Sequence, residues 1–367
     1  MKIAVLTSSR ADFGIYLPLL KAFEGDDDFD LEIIAFGTHL STFHGYTLDD
    51  IIKNGFSNIH KLVSLLINDD PVGISTSYGL TATKFADFWG GIGSKYDLVF
   101  CLGDRFEMAA AVIAGIPFGI RFAHLHGGDT TLGAIDNIYR HQITLASQLH
   151  FVALDEHAQK VKSLIDSADN VYVIGALSLD NTLQMDLLSQ KLFYNKWNIR
   201  FDKPSILVTV HPETVALSKN VEYARIVYDT LRELADDFQI IITMPNADTA
   251  GNIYRKQFEE LKQQNEGFIK IVENFGTQSY FSCMKYSDIL LGNTSSGILE
   301  AASFDKYVVN LGDRQLGRQA GPNVIHCPFD KKNILNVVKK FIGKRYKGEN
   351  LYYKGGATNR IIEILKK

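Results

Sequence analysis

The sequence predicts an α/β protein built as two doubly wound domains, each a parallel sheet with helices on both faces. Three observations predict it. Short β-branched runs alternate with amphipathic helical patterns, the rhythm of a βαβ chain. The runs are mostly apolar throughout rather than alternating, as strands buried on both faces should be. The rhythm dips near residues 175–203 and then restarts.

In the first half the strand candidates are KIAVLT (2–7), LEIIAFG (31–37), NIHKLV (58–63), DLVFCLG (97–103), GIRFAHLH (119–126), LHFVAL (149–154) and NVYVIG (170–175). Helical patterns lie between them. FGIYLPLLKAFEG (13–25) is one, and TLDDIIKNG (47–55) is another, with Thr47 as N-cap and Gly55 as stop. Across the polar stretch up to Pro204 the pattern weakens. It resumes with SILVTVH (205–211), QIIITMPN (239–246), FIKIVENF (268–275), DILLGN (288–293) and YVVNLG (307–312). We place the first domain at residues 1–180 and the second at 181–354. ATNRIIEILKK, within 355–367, is a terminal helix that joins the first domain.

Composition narrows the function classes. The 367 residues favour two domains over one, and 46% hydrophobic with 22% charged residues suits a soluble protein with substantial cores. The net charge of -4 gives no general pull toward nucleic acid or an anionic membrane, so neither is expected as a partner. Any anion site must be a local arrangement. Cys101, Cys283 and Cys327 are scattered and odd in number, which fits a reducing cytoplasm and no disulfide or zinc framework. The opening MKIAVLTSS is too briefly apolar for a signal peptide, and no run approaches the roughly 18 apolar residues of a membrane span.

Ligands of open parallel sheets bind beyond the carboxyl ends of the strands. Seven strand ends here carry polar clusters: SSRADFG, DRFE, LHGGD, HPET, PNADTAG, NTSSG and DRQLGR. Any one loop is explained by caps and turns, but seven drawn from both halves predict a cleft between two domains. In GNTSSG, Thr294 and Ser295 fall where a helix starts, so they offer either a phosphate cradle or plain N-capping. Glu300 lies about a turn further on, facing ligand hydroxyls or solvent. Arg314 follows another strand, with Arg10 and Arg105 in equivalent places in the first half, and the arginine fork suits phosphate. His211, before Pro212, is one more strand-end donor. No Walker loop and no dinucleotide fingerprint is present. A diphosphate held by hydroxyls, helix N-termini and arginines fits a nucleotide-sugar. Asp104, Glu107, Asp129 and Asp136 supply carboxylates for acid, base or oxocarbenium-stabilising work, or serve as caps and salt-bridge partners.

HLHGGD, residues 124–129, can be read three ways: a metal-ligand pair, an acid/base turn, or the polar end of a buried strand. No third ligand with recognisable spacing accompanies the pair, which weakens the metal reading. His124 is expected to end the strand as a structural hydrogen-bonding residue. Gly127 and Gly128 let the backbone turn tightly.

SSRADFG, GDRFE, GAIDNIYRH, HPET, PNADTAG, GNTSSG and LGDRQLGR follow in the order and spacing of the hydrolysing UDP-N-acetylglucosamine 2-epimerases. The chain resembles the bacterial branch that feeds sialic-acid-type sugar synthesis. The resemblance implies two Rossmann-like domains in the glycosyltransferase-B-like arrangement with the active site between them. It implies that UDP leaves C1 as C2 is deprotonated, that a 2-acetamidoglucal forms, and that water and a proton then add to give UDP and N-acetylmannosamine. No metal and no cofactor is implied. A homo-oligomer, dimer or tetramer, is. Position by position, Arg10, Arg105, His211, Asn246, Thr294, Ser295, Glu300 and Arg314 match UDP- or phosphate-contacting positions. Phe275 falls where the family places a residue against the uracil, and Asp104 and Asp136 match catalytic carboxylates.

One departure is informative. Many family members carry a proposed proton-transfer Glu where this chain has His126. Either His126 takes over that role, since His titrates near neutral pH, or Asp129 supplies the carboxylate. We favour His126, and count His211 with the catalytic set as well. A second departure concerns regulation. The animal enzymes bind a feedback nucleotide sugar through basic residues just before the uracil contact, where this chain has Glu273-Asn274. Activity is therefore expected to be unchanged by CMP-sialic acid at modest concentration, which a simple inhibition titration checks. Competing readings are the same reaction on UDP-2,4-diacetamido-2,4,6-trideoxyglucose, the non-hydrolysing epimerase, a glycosyltransferase of the same architecture, and a non-catalytic nucleotide-sugar sensor.

Overall fold

A computed structural model of the chain describes residues 1–68, 70–245, 250–264 and 267–367. The chain forms two compact units. The first comprises Met1–Asp129, Asp136–Asn181 and Tyr352–Lys367, and the second Thr130–Ile135 and Thr182–Leu351.

Among the described residues, the first unit holds a seven-stranded parallel sheet: β1 (Lys2–Thr7), β2 (Asp30–Phe36), β3 (Ile59–Leu62), β4 (Leu98–Leu102), β5 (Phe122–Leu125), β6 (Leu149–Val152) and β7 (Val171–Val173). Their spatial order is β3-β2-β1-β4-β5-β6-β7. The order reverses between β1 and β4, the kind of switch point at whose strand carboxyl ends such sheets bind ligands. The core on one face gathers Phe13, Tyr16, Leu20, Phe23, Phe100 and Phe151, with Ala357 and Ile361 from the terminal helix Ala357–Leu365. That helix packs on the helix Arg10–Glu24. Its return is fixed by polar contacts too. The Thr358 N–H donates to the Asp180 carboxylate at 2.6 Å, and the Ala176 N–H to the Tyr352 carbonyl at 3.0 Å.

The second unit holds six parallel strands: β8 (Ser205–Thr209), β9 (Gln239–Thr243), β10 (Ile269–Val272), β11 (Ile289–Gly292), β12 (Val308–Leu311) and β13 (Val324–Cys327). Their order is β10-β9-β8-β11-β12-β13, with the switch point between β8 and β11. β8 and β11 are fully buried, as strands covered on both faces must be.

The α/β, twice doubly wound reading holds. All twelve strands read from the sequence form, with ends shifted by up to three residues. β13 was not expected, because VIHC is short and carries a histidine. One helix start and one cap also differ. The first helix starts at Arg10 rather than Phe13, because Ser9 and Asp12 form a capping box. The second, Leu48–Lys53, has Thr47 at its N-cap and stops before Gly55 (φ +100°) as expected, but the Thr47 hydroxyl does not bond its first turn. That hydroxyl is instead bonded to His39 Nδ1 at 2.9 Å. The polar stretch after residue 175 contains the helices Leu177–Gln184 and Gln190–Trp197, the latter capped by Ser189. Among the described residues, no helix is long and apolar enough to cross a membrane.

Candidate active site

In the first unit the expected residues cluster on the turns after β1, β4 and β5. After β1, the Asp12 carboxylate accepts the N–H groups of Ser8 and Ser9 at 3.0 and 3.1 Å and the Ser8 hydroxyl at 2.7 Å. This locks the turn and sets Arg10 as the first residue of its helix. After β4, Asp104 is bonded to the guanidinium of Arg140. Arg140 is 1% exposed, and also donates to the Asp129 carbonyl at 3.0 Å. One buried cation thus brings Asp104 and the HLHGGD turn together. Next along the chain, Arg105 Nε donates to Glu107 Oε1 at 2.8 Å. Glu107 is fully buried, and burial pushes its carboxyl up, against the pull of Arg105.

The HLHGGD turn separates its two histidines. His124 lies inside β5, fully buried. Its Nε2 donates to the Gly103 carbonyl at 2.9 Å and its Nδ1 meets the Thr144 hydroxyl at 3.1 Å. Burial pushes the ring down to about 3, so it is neutral at physiological pH and acts structurally. His126 departs from the strand expected to include it. β5 ends at Leu125, and His126 sits in the left-handed region at φ +65° while its N–H donates to the Phe151 carbonyl at 3.0 Å. Non-glycine residues adopt that conformation only where surroundings enforce it. Gly128 follows at φ +78°, and a Cβ there would collide with the His157 backbone. Asp129 is buried, 3.5 Å from His157 Nε2. Asp136 opens the helix Asp136–Ala146, one turn before Arg140.

In the second unit Asn293 is the hub. Fully buried after β11, its side-chain Oδ1 accepts the His211 N–H at 2.7 Å and its Nδ2 donates to the His211 carbonyl at 2.9 Å. Gln315 Nε2 donates to the Asn293 carbonyl at 2.7 Å. The strand ends carrying His211, Thr294 and Arg314 are thereby tied together. Thr294 caps the short helix Ser295–Leu299 by accepting the Ser296 N–H at 3.4 Å, while Ser295 is exposed. Glu300 ends that helix and is buried, so it does not sit on a solvated face. Arg314 is largely buried. Phe275 is apart from this group: its ring packs against Phe193 and Trp197, with centroids at 5.6 and 4.9 Å. Asn246 lies outside the described residues.

Sequence reasoning missed three partners. Arg140 stood inside the quoted GAIDNIYRH, and its spacing of four from Asp136 on one helix face was the available signal. Glu213, in HPET, whose carboxylate accepts the Asp313 N–H at 2.6 Å, and Asn293, in GNTSSG, carried none, because these are tertiary hydrogen bonds.

A family model described as UDP-N-acetylglucosamine 2-epimerase matches residues 21–366. The hydrolysing UDP-N,N'-diacetylbacillosamine 2-epimerase of Legionella pneumophila is 32% identical over 368 residues, covering 100% of this chain and 95% of that protein. The hydrolysing GDP/UDP-N,N'-diacetylbacillosamine 2-epimerase of Campylobacter jejuni is 32% identical over 349 residues, covering 94% and 88%. The solved structure of UDP-GlcNAc 2-epimerase from Neisseria meningitidis bound to UDP-GlcNAc has a TM-score of 0.83 at 18% identity over the whole of both chains, a likeness of fold. With the family model spanning nearly the full chain and relatives at 32% identity along its length, this protein belongs to the UDP-N-acetylglucosamine 2-epimerase family.

Proposed function

We propose that this chain, a UDP-sugar 2-epimerase by family, is of the hydrolysing kind and releases UDP and a free 2-epimerised sugar. The observation that carries the hydrolytic reading is full-length similarity to two relatives whose names specify hydrolysis. In this reading the C2–H proton goes to a base while the C1–O bond to UDP breaks, leaving a 2-acetamidoglucal. Water then adds its hydroxyl to C1, and a proton returns to the opposite face of C2. C2–H is barely acidic, so departure of UDP must build positive charge at C1 as the proton leaves. A fixed carboxylate stabilises that charge, and the arginines and N–H groups stabilise the departing diphosphate. Asp104, oriented by Arg140, and His126 are the two proton-transfer groups. Arg314, Thr294, Ser295, Glu300 and His211 take the nucleotide, with Arg10 and Arg105 on the phosphates.

Two substrates are consistent with this chemistry. The description of the family model supports UDP-N-acetylglucosamine, giving N-acetylmannosamine. The names of the two 32%-identical relatives support the 2,4-diacetamido-2,4,6-trideoxy sugar. The sugars differ at C4 and C6, where an unmet polar group separates substrates far better than a lost methylene does. The deciding experiment incubates the protein in D2O with each nucleotide sugar and follows products by NMR. Free UDP with a 2-epimeric sugar deuterated at C2 is the expected result, and turnover on the two substrates ranks them. Recovery of only the UDP-linked 2-epimer would instead make the enzyme non-hydrolysing. Sugar appearing on an acceptor would make it a transferase.

A further inference from the structure

Glu213 has no part in the chemistry above, yet it is among the most deeply placed carboxylates of the second unit. It lies four residues past β8 and is 3% exposed. Its own main chain is pinned from both sides by buried Asn220, whose Oδ1 accepts the Glu213 N–H and whose Nδ2 donates to the Glu213 carbonyl, each at 3.0 Å. Its carboxylate accepts the Asp313 N–H at 2.6 Å, and the Arg314 N–H acts on it as well. A buried carboxylate is costly unless it is well paired. Here the pairing is with successive main-chain N–H groups, which form a nest around it. Burial pushes its pKa up; the main-chain N–H groups of Asp313 and Arg314 and the charge of Lys219 oppose the rise, while the Asp313 carboxylate adds to it.

The turn is shaped to this carboxylate. Gly312 stands at φ +63°, and a Cβ there would collide with Glu213 Oε1 and the Phe329 ring. The Leu316 N–H closes the turn on the Asp313 carbonyl at 2.8 Å. Arg314 lies between those two residues, so the nest fixes the direction in which its side chain leaves the backbone. The neighbouring Thr214 hydroxyl accepts the Ile135 N–H at 3.0 Å, and the Leu132 N–H donates to the Leu316 carbonyl at 2.8 Å. The segment linking Asp129 to Asp136 is therefore held by the same turn and the same strand end.

We propose that Glu213 is a positioning residue that sets the Gly312–Leu316 turn, and through it Arg314, for binding the diphosphate of a nucleotide. This rests on the reading that Arg314 contacts that diphosphate. Glu213 itself touches no reacting atom.

The test is UDP binding to the whole protein by calorimetry, with melting temperatures recorded beside it. R314A is expected to raise the Kd for UDP roughly 10- to 100-fold, the range for a lost charged hydrogen bond. E213A is expected to do the same, and isosteric E213Q to raise it less. The double variant R314A/E213A is expected to bind no worse than R314A alone, because both remove one interaction. Additive losses would overturn the proposal, since a general loss of fold integrity adds to whatever Arg314 contributes. So would wild-type affinity in E213A beside a clear loss in R314A, which leaves the nucleotide reading intact. Wild-type affinity in R314A would remove Arg314 from the nucleotide site, and both ideas would fall there. If E213A does not fold, E213Q and its double variant with R314A carry the same decision.

Discussion

Asp104→Asn is expected to lower kcat by about 10²- to 10⁴-fold, the usual contribution of a positioned acid/base group, with the Kd for UDP nearly unchanged. The substitution keeps the size and an acceptor oxygen for Arg140, so the turn after β4 retains its anchor. What it removes is a group able to take and return a proton. Stopped assays of UDP release, with UDP binding measured in parallel, separate the two effects. A variant with near wild-type turnover would show that Asp104 serves only as the ion-pair partner of Arg140. Loss of turnover together with loss of UDP binding would point to a collapsed turn instead.

The second large effect is expected at His126. His126→Ala should lose most turnover, by about 10²-fold or more, while UDP still binds. The matched control is Asp129→Asn, because Asp129 is the other candidate for the proton transfer assigned to a glutamate in many relatives. The structure separates the two physically. Asp129 is buried and lies 3.5 Å from His157 Nε2, whereas His126 is partly exposed on a left-handed turn. A proton-transfer group must reach substrate, and of the pair His126 is the less buried residue, although its Nε2 is itself buried, so the two variants decide between them. Near-normal turnover in His126→Ala beside a dead Asp129→Asn would reverse the assignment. The comparison needs melting temperatures, because Asp129→Asn also alters a buried contact.

The fold was largely legible because a buried parallel strand announces itself locally. Runs such as SILVT and DLVFCL are apolar on both faces, and nothing beyond a few neighbours is needed to read them. VIHC failed that test, being four residues long with a histidine on it. The first helix start was missed for a different reason. SSRAD was read as a ligand-facing cluster, although Ser9 and Asp12 also satisfy the capping box that begins the helix. The site was legible as residue types and not as partnerships. Arginines, carboxylates and glycines at strand ends can be picked out in one dimension. That Arg140 joins Asp104 to the Asp129 carbonyl, or that Asn293 ties His211 to Gln315, depends on Asp104 and Arg140, 36 residues apart, and His211 and Asn293, 82 apart, meeting in space. The backbone of His126 was not legible either. FAHLH continues the strand pattern smoothly, and the left-handed backbone at His126 and the close approach of Gly128 to the His157 backbone belong to the folded chain.

The return of the chain at Tyr352 has a consequence for synthesis. The second unit's main segment, Thr182–Leu351, is synthesised before the residues that complete the first unit, Tyr352–Lys367. At about 5–20 residues per second, the sheet of the first unit waits on the order of 10–30 s for the helix Ala357–Leu365. During that interval Phe13, Leu20 and Phe23 lack the apolar cover that Ala357 and Ile361 later supply. The unit whose synthesis begins first is thus completed only by residues made after the second unit's main segment.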